Sequence, residues 1–251
     1  MKRALIYTAA AVAAAFCLPH AAYGASAGVG GEACDIEKQA VLLYQEIKQA
    51  GGDWAASEEF SEAEVREAYR FMTREILNGD IPKFYYRMDE SGKVKEVKLE
   101  DGAGILDQQK AAKAYMEDIW ETHKDSIEGI AGEKERAAHI AKILVENYIC
   151  AYDYSFGVHS IYELSRMGSK KGTCNVFTTL FDRICEKAGI SGYMEIGKLK
   201  ANLSASHGWN RLVFKDGTAH YYDLTLYMSL SDPSYLDMTA ERYEAEYQRE
   251  E

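Results

Sequence analysis

The chain has 251 residues, 47% of them hydrophobic, and a formal net charge of −11 at pH 7. That length covers one or two domains and can bury a core without disulfide staples. The acidic balance leaves no basic cluster to hold phosphates, which argues against nucleic acid and anionic lipid as partners.

The chain opens with Lys2 and Arg3, an apolar run, and small residues around Ala22-Tyr23-Gly24 and Ala25-Ser26-Ala27. This is the plan of a secretory signal peptide covering 1–27, cleaved after Gly24 or Ala27. The run is short for a membrane span and Pro19 interrupts it. No later stretch is apolar enough to span, so the expectation is an exported chain, secreted or at the cell surface, with no membrane span once the leader is gone. Loss of Lys2 and Arg3 takes the charge two lower, to −13.

A helical pattern then runs from about Asp35 to Ala50. Ser61-Glu62-Ala63-Glu64 reads as a capping box opening a second helix. Its stripe is Val65, Ala68/Tyr69, Met72 and Ile76, and Asn78-Gly79 ends it. KFYYRM and KVKEVKLE around Asp89-Glu90-Ser91-Gly92 predict a β-hairpin with a Gly-containing turn. Two helices follow, about Asp107–Ile127 and Glu133–Ile149. The first buries Tyr115 and Ile119. The second buries Ala137, Ile140/Ala141, Leu144 and Tyr148.

Tyr152 to Lys171 reads as an irregular loop containing Gly157 and Gly168. A helix from about Cys174 to Lys187 is closed by Gly189 at C′. Three strands are expected at about Gly192–Lys198, His207–Phe214 and Ala219–Leu226, then a charged helical tail. A cysteine-bearing helix packed on an antiparallel sheet gives an α+β fold.

Leader cleavage would remove Cys17 and leave Cys34, Cys150, Cys174 and Cys185. Cys174 and Cys185 cannot bridge on one helix. Eleven residues separate them by roughly 16 Å, and a disulfide needs Cα atoms within about 7 Å. Cys34–Cys150 and Cys150–Cys185 both stay open.

Cys174 follows Gly172-Thr173 at a helix start and heads the apolar stripe Phe177, Phe181, Ile184 and Ala188. It is therefore either a small core residue or a nucleophile. Free N–H groups and the positive dipole end at this position favour a thiolate and can hold an oxyanion.

A nucleophile needs a base and an orienter. His20 leaves with the leader, and His123 and His139 fall on charged helix faces. His159, in the loop before the cysteine, is a candidate to line a cleft. Strand geometry separates His207 from His220. If Lys215-Asp216-Gly217 is a three-residue hairpin loop with Gly217 in the left-handed region, Phe214 pairs with Thr218. Trp209 then faces Asp223, and His207 shares a sheet face with Asp223. His220 lies on the other face with Asn210 and Leu212. A two-residue turn would break that pairing.

Gly172-Thr173-Cys174, His207-Gly208-Trp209-Asn210 and Tyr222-Asp223-Leu224-Thr225 resemble, in order and spacing, the G-x-C, H-x-W-N and D-x-T motifs of the transglutaminase-like superfamily. Tyr152-Asp153 after a helix and Ala188-Gly189-Ile190 also look like that family. The match covers about Glu133 to Leu226, and the segments before it are similar to exported bacterial members.

The resemblance implies a papain-like core at 131–251, after an N-terminal helical region with a β-hairpin at 28–130. It implies a Cys–His–Asp triad in which Cys174 is the nucleophile, His207 the general base and acid, and Asp223 the residue that orients the imidazole. It implies no cofactor and no metal, and a protein or peptide substrate that can belong to a cell surface. Asn175 stands where animal transglutaminases carry tryptophan. Trp209 is either a packed aromatic or a substrate-binding residue, and His159 is the other candidate for substrate contact. The expected activity is acyl transfer on amides through a Cys174 thioester. The alternatives are a cysteine peptidase or amidase, and a silent surface-binding module of the same fold.

Overall fold

The computed structural model describes residues 6–8, 32–77, 83–100, 102–153, 158–168 and 170–249. The cleavage positions near Gly24 and Ala27, Cys17, His20, the Asn78-Gly79 helix stop and Gly157 lie outside the described residues. So does the Cys34 side chain. The described residues form two compact units, one up to Lys110 and one from Ala111 onward. The division falls between Lys110 and Ala111, inside the continuous helix Gly102–Glu128 (α3 below).

In the first unit the four-stranded antiparallel sheet has the order β1-β3-β4-β2. Its strands are β1 (Ile6–Thr8), β2 (Ala55–Ser61), β3 (Phe84–Met88) and β4 (Lys93–Leu99). The hairpin β3–β4 is the expected one. Asp89 caps its turn, with Oδ1 accepting the Ser91 and Lys93 N–H groups at 2.8 and 3.1 Å. Strand β2 was not anticipated, because Ala-Ala-Ser-Glu-Glu-Phe has no period-2 alternation. Ile6–Thr8, within the expected leader, pair with β3 in the register Ile6↔Arg87 to Thr8↔Tyr85.

Helices α1 (Glu32–Ala50) and α2 (Glu62–Phe71) belong to this unit. The capping box forms as read: the Ser61 side chain accepts the Glu64 N–H, and Glu64 reaches back to the Ser61 N–H. A π-helical turn, Met72–Ile76, follows α2. Leu43, Ile47, Val65, Met72, Phe84, Val94 and Val97 fill the core.

The second unit contains the C-terminal part of α3 (Gly102–Glu128) and α4 (Glu133–Asn147). Beyond them, α6 (Cys174–Lys187) is its centrepiece. All α6 residues from Val176 to Asp182, with Ile184 and Cys185, are buried, so the helix is enclosed on nearly every side rather than along one stripe. It packs on a second antiparallel sheet of order β10-β7-β8-β9. The strands are β7 (Ser191–Leu199), β8 (Asn202–Val213), β9 (Ala219–Tyr222) and β10 (Tyr247–Arg249).

Three readings of this region are corrected. The 152–171 stretch is not wholly irregular: it holds helix α5 (Ile161–Met167), with a Ser160/Glu163 capping box and Gly168 in the left-handed region at φ 58°. Strand β9 ends at Tyr222, and α7 (Leu224–Leu230) begins there because the Asp223 side chain accepts the Leu226 N–H and caps it. The tail is a short helix, α8 (Ala240–Glu246), that runs into edge strand β10. Helices together with antiparallel sheets are compatible with an α+β architecture. Among the described residues, no helix is long and apolar enough to cross a membrane.

Candidate active site

The turn that joins β8 to β9 sets the register of the site. Gly217 has φ +82° and its N–H donates to the Phe214 carbonyl, while the Phe214 N–H donates to the Thr218 carbonyl. Lys215-Asp216-Gly217 is therefore a three-residue loop. Asp216 stiffens it by accepting from the Thr218 N–H and hydroxyl. The register runs Val213↔Ala219 to Asn210↔Tyr222, which continues to place Trp209 opposite Asp223.

His207 and Asp223 meet as that register requires: His207 Nε2 lies 2.6 Å from Asp223 Oδ2. Asp223 is fully buried and the His207 side chain is 11% exposed. The carboxylate collects two more donors, the Leu226 N–H at Oδ1 and the Tyr247 hydroxyl at Oδ2, each at 2.9 Å. Burial of His207 works against its charged form, but the charge and hydrogen bond of Asp223 outweigh it. With a smaller contribution from a hydrogen bond to Cys174, they push the imidazole pKa up to about 10. The Asp223 carboxylate thus favours the charged form of the imidazole. Asp223 occupies Nε2, so Nδ1 is the nitrogen left for the Cys174 thiol.

Several contacts hold Cys174 in place. The two-residue strands β5 (Ala151–Tyr152) and β6 (Lys171–Gly172) pair in parallel. The Thr173 N–H donates to the Val158 carbonyl at 3.2 Å. A Cβ on Gly172 would lie 3.1 Å from that of Val176, so glycine lets the chain pass close to the first helical turn. Asn210, of the His-Gly-Trp-Asn motif, is fully buried and its Nδ2 donates to the Thr178 carbonyl at 3.0 Å. The Thr178 hydroxyl donates to the Cys174 carbonyl at 3.0 Å. Strand β8 and helix α6 are stitched together one turn below the thiol, and the sequence alone assigned Asn210 no such role.

No family model matches this sequence, and no curated protein does. A solved structure described as a TGase is similar with a TM-score of 0.38 and 13% identity, over 72% of this chain and 47% of that one. The chain thus spans about half the length of that protein.

The remaining candidates separate clearly. Trp209 is fully enclosed, donates from Nε1 to Glu195 Oε2 at 3.0 Å, and packs at tilted ring angles among His207, Tyr243 and Tyr247. Its burial fits the packed aromatic of the two alternatives. His159 is exposed. Its carbonyl accepts from Asn175 Nδ2 at 2.8 Å, so it sits beside the start of α6. His220 is 2.6 Å from Asp237, while His123 and His139 contact Tyr148 and Ser126.

Cys150 is an exposed free thiol and Cys185 a buried one, so neither of the bridges left open to Cys150 forms. Burial pushes the Cys185 thiol pKa well up. Among the described residues, no group of three or more His, Cys, Asp or Glu side chains is placed to hold a metal. Tyr247 is the site residue that the sequence did not reveal. Its strand pairs with one nearly fifty residues earlier, and nothing local marks it.

Proposed function

We propose that this chain is an exported thiol enzyme of acyl transfer with a transglutaminase-like, papain-like core, acting on amide bonds of proteins or peptides. The observation that carries the reading is His207, held 2.6 Å from the buried Asp223 and beside Cys174, the first residue of α6.

In this reading the Cys174 thiolate attacks an amide carbonyl, and the C–S bond forms as the carbonyl π electrons move to oxygen. The Cys174 N–H, at the start of the helix, points its partial positive charge toward that oxyanion. His207 gives its Nδ1 proton to the departing nitrogen, and the C–N bond breaks to leave a thioester. Neutral His207 then takes a proton from the incoming water or amine, and the second tetrahedral intermediate collapses to release Cys174. Asp223 keeps the proton of Nε2 in place throughout, so that Nδ1 faces the thiol in the productive tautomer.

Hydrolysis is favoured as a substantial outcome. An amine competes with water only where water is excluded from the thioester. Asn175, the residue after the nucleophile, is turned to the His159 carbonyl rather than providing an aromatic shield. The acidic chain suits lysine-bearing substrates. The charged start and apolar run of residues 1–27 support export.

The test is incubation with a glutamine-rich protein and a labelled primary amine, read by mass spectrometry, with Cys174→Ala as control. Cys174-dependent deamidation, cleavage or amine incorporation is expected. Absence of chemistry on every amide tried would move the assignment to a silent binding module.

A further inference from the structure

We infer that Tyr247 is a positioning residue of the site: through its hydrogen bond to Asp223 Oδ2 it shares the carboxylate charge that holds His207, so that a fourth side chain belongs to the Cys174–His207–Asp223 arrangement. This rests on the reading of those three residues given above.

Asp223 is fully buried, and its carboxylate accepts from three protein donors. Oδ1 is taken by the N–H that starts α7. Oδ2 is shared, with His207 at 2.6 Å and the Tyr247 hydroxyl at 2.9 Å. Two donors on one oxygen divide its negative charge. The second donor stabilises the ionised carboxylate and lowers its pull on the imidazole proton. In a short bond between two buried titratable groups, that balance decides on which side the proton rests.

The hydroxyl is aimed by its surroundings. The Tyr247 ring lies 4.8 Å from the Trp209 ring and 5.3 Å from that of Tyr243, and the residue is 3% exposed, so it has no room to swing. Strand β10 is seated against β7 in the register Tyr247↔Leu199 to Arg249↔Gly197. Gly197 permits that approach, since a Cβ there would lie 2.2 Å from the Gln248 carbonyl oxygen and 2.7 Å from Trp209. Arg249 locks the strand through Glu195 at 2.9 Å and the Tyr243 hydroxyl at 2.8 Å. A residue that only filled space here would need the ring and not the oxygen.

The experiment is an NMR titration of the His207 imidazole in the full chain, from about pH 6 upward, with His207→Ala to assign the signal. Tyr247→Phe keeps the ring and removes the donor. The midpoint, about 10 in the parent, should rise by about half a unit or more as Oδ2 turns its whole charge on the imidazolium. Arg249→Met removes the Glu195 and Tyr243 contacts at the end of β10 while the Tyr247 ring stays held between Trp209 and Tyr243, so it should lower thermal stability and leave the midpoint in place.

An unmoved or lowered midpoint in Tyr247→Phe, or an equal rise in Arg249→Met, would overturn the role of Tyr247. Asp223→Asn separates this failure from that of the parent reading. If Asp223→Asn also leaves the midpoint near 10, the His207–Asp223 pairing fails and Tyr247 with it. If it lowers the midpoint while Tyr247→Phe does nothing, only Tyr247 is overturned.

Discussion

Replacing Asp223 by Asn changes one oxygen to a nitrogen and reverses the electrostatics of the site. The carboxylate accepts from three donors, His207 Nε2, the Tyr247 hydroxyl and the Leu226 N–H. An amide can keep its oxygen on the Leu226 N–H. Its NH2 then faces His207, which must present a bare Nε2 and carry its single proton on Nδ1, toward Cys174. The imidazolium loses its main support, and burial, which disfavours it, is opposed only by the smaller contribution of Cys174. The His207 midpoint should fall from about 10 to 6.5 or below.

At about 1.4 kcal/mol per pH unit, a fall from about 10 to 6.5 corresponds to roughly 5 kcal/mol for the pair. The sign fixes the pH window. His207 is raised above its unfolded value, so its contribution to stability is fully present below about pH 6.5 and is lost as pH rises through about 10. Urea denaturation across that range should show the parent losing stability with rising pH more steeply than Asp223→Asn. Iodoacetamide labelling of Cys174 at neutral pH should slow by at least tenfold in the variant, because the cation beside the thiol is gone. A His207 midpoint that stayed within a unit of 10, with unchanged labelling, would refute the reasoning.

Gly197→Ala should unseat β10, since its Cβ meets backbone and Trp209 well inside contact distance; a melting temperature lowered by several degrees is expected, and a parent-like melt would count against it. Asn210→Ala removes a buried donor to the Thr178 carbonyl and should cost about 1–3 kcal/mol in urea denaturation. Peptide mapping after brief alkylation of the native protein should find Cys150 and Cys174 modified and Cys185 untouched, because Cys185 is enclosed and its thiol held protonated; early modification of Cys185 would show that α6 opens readily.

What could be read from the sequence was what local chemistry decides. The start of α6 at Cys174, the Ser61 capping box and the Gly217 loop each depend on residues within a few positions, and each formed as expected. The loop in turn carried the one long-range inference that mattered, the meeting of His207 and Asp223. The end of β9 was hidden because Asp-Leu-Thr-Leu-Tyr alternates like a strand, and only the capping bond from Leu226 to Asp223 turns it into a helix. Helix α5 carried a readable Ser160/Glu163 box, but at seven residues it is too short to show a period. Strands β2 and β10 take their partners from distant parts of the chain, and their own sequences are too polar to announce them.

The placement of β10 also bears on the order in which the site can be made. Cys174, His207 and Asp223 all leave the ribosome before Tyr247, and β7 keeps an open edge until β10 arrives to cover it. A partly synthesised chain therefore holds Cys174, His207 and Asp223 without the strand whose Tyr247 hydroxyl bonds Asp223. On the proposed reading, completion of the site waits on closure of the second sheet, and a nascent or C-terminally clipped chain is left with an unfinished one.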